Sequence, residues 1–508
     1  MKHLIICREF PPACGGGIGT YAYNISRLMA ENGECVHIIS QLCENDNQPY
    51  TELIKGRLIV HRIAFDDWTA FFEPKPHPEL MSKIERELFH SSFHLQCFAW
   101  SAALLAEKLI TEEEIDVIEA QEYEAPLYYF QLRRAIGLGP IRQPPTIVHL
   151  HSPTWTIAKS NEWLPDDLSV IAATRLEEFS IKAADGLICP SRYLTNAVHR
   201  HYGLQQESIN VIPYPVIGLS KLDRVPSVWN KGSICYIGRL EPRKGVIEWI
   251  RAAVCAAEIH SELTFDFVGE NVLRNGRKSG QSVINGLIPK HLRSRFRFHG
   301  HQPRSSLPKF LIRARIAVVP SRWENFPNTC IEAMSSGLPV IATATGGMAE
   351  MVENGRTGWI ASTANALTDA IFRALSCSAA QLEEMGEAAS SSIREQCDPQ
   401  RVFEAQLAVR KTCIKAGAVR SRKIPENLNW LHSATLDKTI SLREVSSICK
   451  FTQLMIAPND VKNVNLRIGN NPLRVLAAID NPIRTVNIVL RKLRGKLLRR
   501  LRRGRTFQ

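Results

Sequence analysis

Residues 233–250 read SICYIGRLEPRKGVIEWI, in which an apolar run, a polar loop and a second apolar-rich stretch follow one another. The run at residues 233–237 predicts a buried strand, and residues 246–253 predict a helix. Two cations, Arg239 and Lys244, lie in the loop between them. A strand that leads through a short loop into a helix is the unit from which parallel sheets are built. The stretch therefore predicts an α/β fold.

The loop after this strand has the residues needed to bind a diphosphate. Arg239 offers a planar guanidinium for bidentate contact, and Lys244 offers a compact charge five positions later. The amides at the start of the following helix add donors that favour an anion. The alternative is that both cations are ordinary solvated surface residues, and the loop alone does not decide between the two.

The same alternation of short apolar runs and longer amphipathic stretches extends to about residue 415. A polar, proline-containing stretch at residues 220–231 interrupts it and predicts a hinge between two doubly wound domains. Ligands of such sheets bind beyond the carboxyl ends of the strands, so two facing domains form a cleft with two different walls. The candidate strands are residues 3–7, 35–40, 116–120, 146–151, 186–189 and 210–213 before the hinge, and 233–237, 264–268, 296–299, 316–320 and 339–342 after it.

A second candidate site follows the strand at residues 316–320, where residues 320–334 read PSRWENFPNTCIEAM. Glu324 lies in the loop, and Glu332 lies one turn into the helix that Pro327 is expected to begin. Two carboxylates on neighbouring elements can accept hydrogen bonds from two sets of hydroxyls, such as the ribose and the hexose of a sugar nucleotide. The alternative is one capping glutamate and one solvated glutamate.

In order and spacing these motifs resemble glycosyltransferase family 4 of the GT-B fold. The resemblance rests on the two cations and the two carboxylates just described, followed by GLPVIA at residues 337–342 and GG at residues 346–347. It implies two Rossmann-like domains that face each other across a cleft. The implied division is an acceptor-side domain at residues 1–218, a nucleotide-sugar-binding domain at 219–398, a helix returning to the first domain at 399–415, and a C-terminal extension at 416–508.

The resemblance also assigns roles to the charged residues. It implies that Arg239 and Lys244 bind the diphosphate of the donor and assist its departure. It further implies that Glu332 accepts hydrogen bonds from the ribose hydroxyls and that Glu324 contacts the transferred sugar. Transfer in this family retains the anomeric configuration of that sugar, and the donor is a nucleotide diphosphate sugar.

One position departs from the pattern of the family. Where a glycine often follows the aromatic residue of this loop, the sequence has Pro327. Proline lacks a backbone N–H, so one possible contact with the donor is absent. Phe326, Asn328 and Thr329 keep their amides, and we expect them to bind the donor.

A glycine-rich loop, PACGGGIGT at residues 12–20, joins the first strand to a helix expected to begin near Tyr21. Glycine lets the backbone approach a ligand closely, and a helix start favours anions. The resemblance places this loop near the donor phosphates and the acceptor, with Gly16, Gly17 and Gly19 as binding residues. A dinucleotide fingerprint is the alternative, but the acidic residue that it needs at the end of the second strand is absent.

Two histidines, His149 and His151, end the strand at residues 146–151 and lie on the same side of the sheet. Taken alone, such a histidine is a buried structural residue. By its position in the order of motifs, His151 resembles the histidine of the family that contacts the donor sugar. Glu119 and Glu122 follow another strand of the first domain and belong either to the acceptor side or to a solvated loop.

The charge and cysteine content exclude several classes of protein. The formal net charge is +13, but ten Lys and Arg and no acid fall between residues 481 and 508, so the remainder is close to balanced and a nucleic-acid-binding domain is not indicated. The thirteen cysteines show no metal-ligand spacing and predict reduced core thiols. No Asp-x-Asp motif occurs, so neither a metal nor another cofactor is expected, and protein groups must neutralise the departing diphosphate.

The last segment predicts a basic amphipathic helix, with apolar residues at helical spacing between Lys and Arg. Such a helix lies on anionic membranes and suits a lipid-linked acceptor; a solvated tail and nucleic-acid contact are the alternatives. No signal peptide and no bilayer-spanning apolar stretch is present, so we expect a cytoplasmic protein, peripheral on the inner face of the membrane where the tail binds. No function follows for residues 416–480. The apolar residues of the predicted tail helix are Val486, Leu490, Leu493, Leu497 and Leu501.

The expected function is retaining transfer of a hexosyl unit from a nucleotide diphosphate sugar to a glycan or lipid-linked acceptor, in the synthesis of a cell-surface polysaccharide or glycolipid. The first alternative is a catalytically silent scaffold of the same fold that binds a sugar nucleotide. Another GT-B reaction, such as phosphorolysis, is the second. The base, the sugar, the acceptor and the oligomeric state do not follow from the sequence.

Overall fold

The structure of the protein is a computed structural model that describes residues 1–418 apart from short gaps. The predicted tail helix and the rest of the extension beyond residue 418 lie outside the described residues. The gaps are residues 14–15, 43–47, 64–65, 68–74, 77–84, 86–87, 90, 92, 136–138, 165–166, 219, 274–278 and 364–365.

The first half of the chain forms an eight-stranded sheet. Its strands are β1 (Lys2–Ile6), β2 (Cys35–Gln41), β3 (Tyr50–Ile54), β4 (Leu58–Ile63), β7 (Val117–Gln121), β8 (Thr146–His149), β9 (Gly186–Cys189) and β10 (Ile209–Val211), while β5 (Asp66–Asp67) and β6 (Lys75–Pro76) pair only with each other. The order is β10-β9-β8-β7-β1-β2-β4-β3, and every pairing is parallel except β3 with β4.

The second half of the chain forms a six-stranded sheet that is parallel throughout. Its strands are β11 (Ser233–Ile237), β12 (Phe265–Val268), β13 (Phe296–Phe298), β14 (Ala314–Val319), β15 (Val340–Thr343) and β16 (Gly358–Ala361). Their order is β13-β12-β11-β14-β15-β16. In both sheets the strand order reverses beside the first strand, which is where open α/β sheets bind ligands.

Helices connect the strands, as parallel pairing requires. Among the described residues they are α1 (Gly17–Glu31), α2 (Gln96–Glu113), α3 (Tyr128–Ala135), α4 (Thr154–Ser160), α5 (Leu168–Lys182), α6 (Arg192–Tyr202), α7 (Pro226–Lys231), α8 (Val246–Ile259), α9 (Gly280–Leu287), α10 (Leu307–Leu311), α11 (Asn328–Ser335), α12 (Leu367–Leu375), α13 (Ala379–Gln396) and α14 (Pro399–Ala416). None of these helices is long and apolar enough to cross a membrane.

Each strand that the sequence predicts is confirmed, with bounds that shift by two residues or fewer. The sequence interpretation missed β3, β4 and β16, together with the two-residue strands β5 and β6. Strand β3 is a largely exposed edge, and β4 interrupts its apolar run with His61 and Arg62. Helix α1 begins one turn before the predicted Tyr21, and Pro327 immediately precedes α11 instead of occupying its first turn.

The last described helix, α14, packs against the first sheet although it follows the second along the chain. Val402 and Cys413 of this helix share a core cluster with Val117 of β7 and Ile147 of β8. Arg410, whose side chain is fully buried, donates hydrogen bonds to the Glu119 carboxylate on β7 at 2.5 and 3.0 Å. We call α14 the return helix.

Loss of the Arg410 charge is expected to destabilise the protein. In Arg410→Met the Glu119 carboxylate would remain buried without its counter-ion, and removing one partner of such a pair costs about 3–5 kcal/mol. The urea midpoint of unfolding measures the effect. The exposed Arg401 lies on the same helix, and Arg401→Met should shift stability by no more than about 0.5 kcal/mol. Equal midpoints for the two variants would contradict the assignment.

Candidate functional site

Residues of the two sheets meet where the carboxyl ends of the strands face each other. The Asn325 side chain donates to the carbonyl oxygen of Leu150 at 3.3 Å and accepts from the Ser191 hydroxyl at 2.5 Å. The Asn328 amide donates to the carbonyl oxygen of Gly17 at 3.2 Å. The two walls of the predicted cleft are therefore in direct contact beside the predicted site residues.

The carboxylate of Glu324 lies at the centre of a buried ion cluster. Its Oε1 pairs with the Lys244 ammonium and accepts a hydrogen bond from Arg243 at 2.7 Å. Arg243 also donates to Glu241 at 3.0 Å. Burial alone would raise the pKa of Glu324, but the charges of Lys244 and Arg243 outweigh burial and lower that pKa. Glu324 is therefore ionised, and two cations share its charge.

The two cations predicted to bind a diphosphate have different surroundings. Burial lowers the pKa of the Lys244 ammonium, although its carboxylate partner opposes the shift. The Arg239 side chain is 36% exposed, and its Nη2 lies 3.4 Å from Glu241. Their loop reaches the neighbouring strand end because Gly245 has φ +65° and no side chain: a Cβ there would lie 1.8 Å from the carbonyl oxygen of Pro320.

Glu332 is buried on α11 and pairs with a residue that sequence analysis did not single out. Arg304 donates from Nε to the Glu332 carboxylate at 2.7 Å. The same guanidinium approaches the side-chain oxygen of Asn24, on the first domain, at 3.4 Å. Burial raises the pKa of Glu332, and the Arg304 charge only partly offsets that effect.

The loop between these two carboxylates places the other predicted residues at the same edge. Phe326 is buried and packs edge-on against Tyr214, with ring centroids 5.5 Å apart. Asn328 and Thr329 are the first two residues of α11 and are half-buried. These three residues therefore follow Glu324 directly on the same strand-to-helix connection.

The glycine-rich loop of the first domain lies opposite. Gly16 donates its backbone N–H to the Glu9 carboxylate at 2.9 Å, and Gly17 begins α1. A Cβ on Gly19 would lie 2.2 Å from the carbonyl oxygen of Glu9, so only glycine fits there. Burial raises the pKa of Glu9, and the charge of Arg239 from the second domain opposes this rise. The bond from the Asn328 side chain to the Gly17 carbonyl oxygen joins this loop directly to the second domain.

His151 follows β8 and is 4% exposed. Its backbone N–H donates to both carboxylate oxygens of Glu122 at 2.8 Å, and its Nδ1 lies 2.5 Å from the Tyr214 hydroxyl. Burial holds the pKa of His151 well below its usual range, so the imidazole is neutral. The rings of the two histidines stack 6.2 Å apart, which agrees with their predicted common side.

The alternative that Glu119 and Glu122 lie in a solvated loop is wrong. Glu119 is 1% exposed and accepts from Arg410 and His149, and Glu122 is fully buried. Burial raises the pKa of Glu122 to about 7, although the amides of His151 and Ser152 oppose the shift. Both carboxylates therefore hold the first domain together beneath the cleft.

Three residues of the site were missed by sequence reasoning. Arg243 lies between the two predicted cations and was passed over because Lys244 completed the motif. Arg304 and Tyr214 lie in loops that carry no motif. The only signal for them in the sequence was a position just beyond a predicted strand. Within the described part of the chain, no group of three or more His, Cys, Asp or Glu side chains is arranged to hold a metal ion.

Comparison with known families and proteins gives consistent matches. A family described as "Glycosyltransferase Family 4" matches residues 15–216, and "Glycosyl transferases group 1" matches residues 223–392. The glycogen synthase of Mycobacterium tuberculosis is 25% identical over 70% of this chain and 81% of its own length. A D-inositol 3-phosphate glycosyltransferase of Kribbella flavida is 26% identical over 68% of this chain and 78% of its own.

Solved structures show the same fold. Sucrose-phosphate synthase from Thermosynechococcus elongatus superposes with a TM-score of 0.63 at 18% identity, over 82% of this chain and 100% of that one. Anabaena Alr3699/HepE in complex with UDP and glucose superposes with a TM-score of 0.57 at 21% identity, over 81% and 99%. At these identities the likeness concerns architecture, and it confirms the predicted GT-B fold.

Replacement of Gly346 tests whether the site depends on the close approach of two loops. This glycine has φ +89°, and a Cβ there would lie 1.8 Å from the carbonyl oxygen of Glu324. Gly355 has φ +83° with nothing within 4 Å of its Cβ position, so it isolates backbone strain. We expect Gly355→Ala to cost about 1–2 kcal/mol and Gly346→Ala clearly more, by urea unfolding. Equal losses would show that the loops tolerate the methyl group.

Proposed function

We propose, because the chain belongs to glycosyltransferase family 4 and has the GT-B fold, that it transfers a hexosyl unit from a nucleoside diphosphate sugar to a glycan or lipid-linked acceptor. The product would be a cell-surface polysaccharide or glycolipid. The observation that carries the proposal is the ion cluster of Glu324, Lys244 and Arg243 at the meeting point of the two domains.

A diphosphate would compete with Glu324 for the Lys244 ammonium. Charge-assisted contacts to phosphate are strong, and the Arg239 guanidinium and the amides at the start of α1 would add further donors. Once the ammonium turns to the diphosphate, an oxygen of Glu324 can accept from a hydroxyl of the hexose. Glu332, buried nearby, would accept from the ribose hydroxyls in place of Arg304.

The transfer breaks the bond between C1 of the sugar and the phosphate oxygen, and the acceptor oxygen forms a bond to C1 on the same face. The acceptor proton passes to the departing phosphate, so the nucleoside diphosphate leaves and the configuration is retained. Arg239, Lys244 and helix amides would stabilise the charge that develops on the diphosphate, and His151 would contact the sugar. The anomeric configuration of the product, read by NMR, tests retention.

These cations would also replace a metal ion. Divalent ions in other sugar-nucleotide sites neutralise the diphosphate, a task that preorganised guanidinium and ammonium groups can perform without reorganisation. We therefore propose catalysis without a metal or another cofactor. The identity of the nucleobase in the donor is a matter for experiment. The HepE structure was solved with UDP, so uridine diphosphate sugars are the first to test, followed by adenosine and guanosine diphosphate sugars.

Donor binding is expected to depend on Lys244 and Glu332. The purified protein should gain thermal stability with one nucleoside diphosphate sugar of the panel. Lys244→Ala and Glu332→Ala should each weaken the Kd at least about tenfold, which corresponds to losing one charge-assisted hydrogen bond. Lys411 and Glu384 are exposed, and their alanine variants serve as matched controls with unchanged Kd.

The same assay separates the alternatives. Binding that is abolished by EDTA would contradict metal independence. Binding with neither transfer nor hydrolysis would favour the silent scaffold. Sugar phosphate formed with inorganic phosphate as the only acceptor would favour phosphorolysis. No response to any nucleotide sugar, with or without magnesium, would overturn the proposed donor site.

The basic tail is proposed to hold the enzyme at the cytoplasmic face of an anionic membrane. The full chain should sediment with phosphatidylglycerol vesicles and not with phosphatidylcholine vesicles, because basic amphipathic helices need both charge and apolar contact. The double substitution Leu493→Glu and Leu497→Glu should abolish sedimentation with these vesicles. Ile259→Glu makes the same chemical change at an exposed position of α8 and should leave it intact. Sedimentation of the tail variant would place membrane binding elsewhere.

A further inference from the structure

Five buried side chains beneath the cleft form a closed ring of hydrogen bonds. Arg410 donates to Glu119 at 3.0 Å and to the side-chain oxygen of Gln406 at 2.9 Å. Gln406 donates to the Tyr21 hydroxyl at 2.9 Å, which lies 3.1 Å from Nδ1 of His149. Nε2 of His149 lies 2.8 Å from Glu119 and closes the ring.

The direction of every bond in this ring follows from the guanidinium. Arginine only donates, so the oxygen of Gln406 must face Arg410 and its NH₂ must face Tyr21. The Tyr21 oxygen accepts that bond, and its own proton, which would otherwise be buried without an acceptor among the described contacts, is donated to Nδ1 of His149. His149 is therefore neutral, carries its proton on Nε2, and donates to the Glu119 carboxylate. Two residues of the return helix thus fix a tautomer in the first domain.

The ring supports the histidine that follows. The Tyr21 ring meets the His151 ring edge-on, with centroids 4.9 Å apart, and packs 4.7 Å from Tyr214. Tyr214 in turn contacts Nδ1 of His151 through its hydroxyl. Tyr21, His149, His151 and Glu119 also line one small pocket, so the His151 ring is not packed on every side.

We propose that this ring, anchored by the return helix, positions His151 for sugar transfer. Arg410, Gln406 and Tyr21 are then positioning residues, which act through His151 and touch no substrate. The inference rests on the proposed function, because that function gives His151 its contact with the donor sugar. It adds that a helix from the far end of the described chain sets the geometry of the first-domain wall.

Tyr21→Phe is the sharpest variant, since it removes two bonds of the ring and keeps the aromatic edge against His151. We expect kcat for release of nucleoside diphosphate at saturating donor, with water as acceptor, to fall at least about tenfold, as small misplacements of catalytic groups do. KM for the donor should stay within about twofold, because the diphosphate and ribose contacts are intact.

The matched control is Tyr128→Phe. Tyr128 is fully buried in the same domain, and its hydroxyl has no hydrogen-bond partner among the described residues. This variant should keep the kcat of the unmodified protein. Gln406→Leu breaks the ring from the return helix and should lower kcat as Tyr21→Phe does. Either substitution alone breaks the ring. The double variant of Tyr21→Phe and Gln406→Leu should therefore have a kcat only slightly lower than that of either single variant.

The tautomer of His149 reports whether the ring of hydrogen bonds is intact, independently of enzymatic activity. ¹⁵N spectra of histidine-labelled protein should show His149 protonated on Nε2, and Gln406→Leu should change the Nδ1 signal. A His149 protonated on Nδ1, or a Tyr21→Phe variant with full kcat and normal donor binding, would overturn the ring and leave the proposed function standing. Absence of donor binding in the unmodified protein would instead overturn the proposed function and the role of the ring with it.

Discussion

The charge on Glu324 has to be compensated inside the protein, because only 7% of this residue is exposed. Two cations of one loop, Lys244 and Arg243, provide that compensation. They reach the carboxylate only where the backbones of neighbouring loops come very close. Gly245 and Gly346 permit this, since a Cβ at either position would lie 1.8 Å from a carbonyl oxygen. Sheet, loop conformation and charge therefore depend on one another at this point, and an unpaired carboxylate there would be strongly destabilising.

Much of this arrangement was predictable from local patterns. Parallel strands are buried on both faces, so they appear in the sequence as continuous apolar runs that need no knowledge of their partners. Loops that follow such runs meet at one edge of the sheet, which indicated Lys244, Glu324 and Glu332 as candidates, whereas the choice of His151 rested on the resemblance to the family. Strands that lack a continuous apolar run, such as the exposed edge β3, gave no comparable signal.

What could not be predicted is how the named residues pair. Glu324 and Arg243 are 81 positions apart, and no local pattern reports how closely their loops approach. For the same reason Arg304 was not recognised as the partner of Glu332. Glu119 looked equally suited to a solvated loop, because the residue that neutralises it lies 291 positions later, on a helix that follows the second sheet along the chain and packs back on the first. Pairings over such distances are properties of the packed fold.

The return helix also bears on how the protein is made. Glu119 belongs to a central strand of the first sheet, but its counter-ion is added only when residue 410 has been synthesised, 291 positions later. At ribosomal speeds of about 5–20 residues per second, the interval is about 15–60 s. From the end of β10 at Val211 onward, the nascent first domain has all its strands, but it still lacks Arg410 and the return helix that covers its apolar strip. Completion of the N-terminal half of this chain is therefore a late event in its biosynthesis.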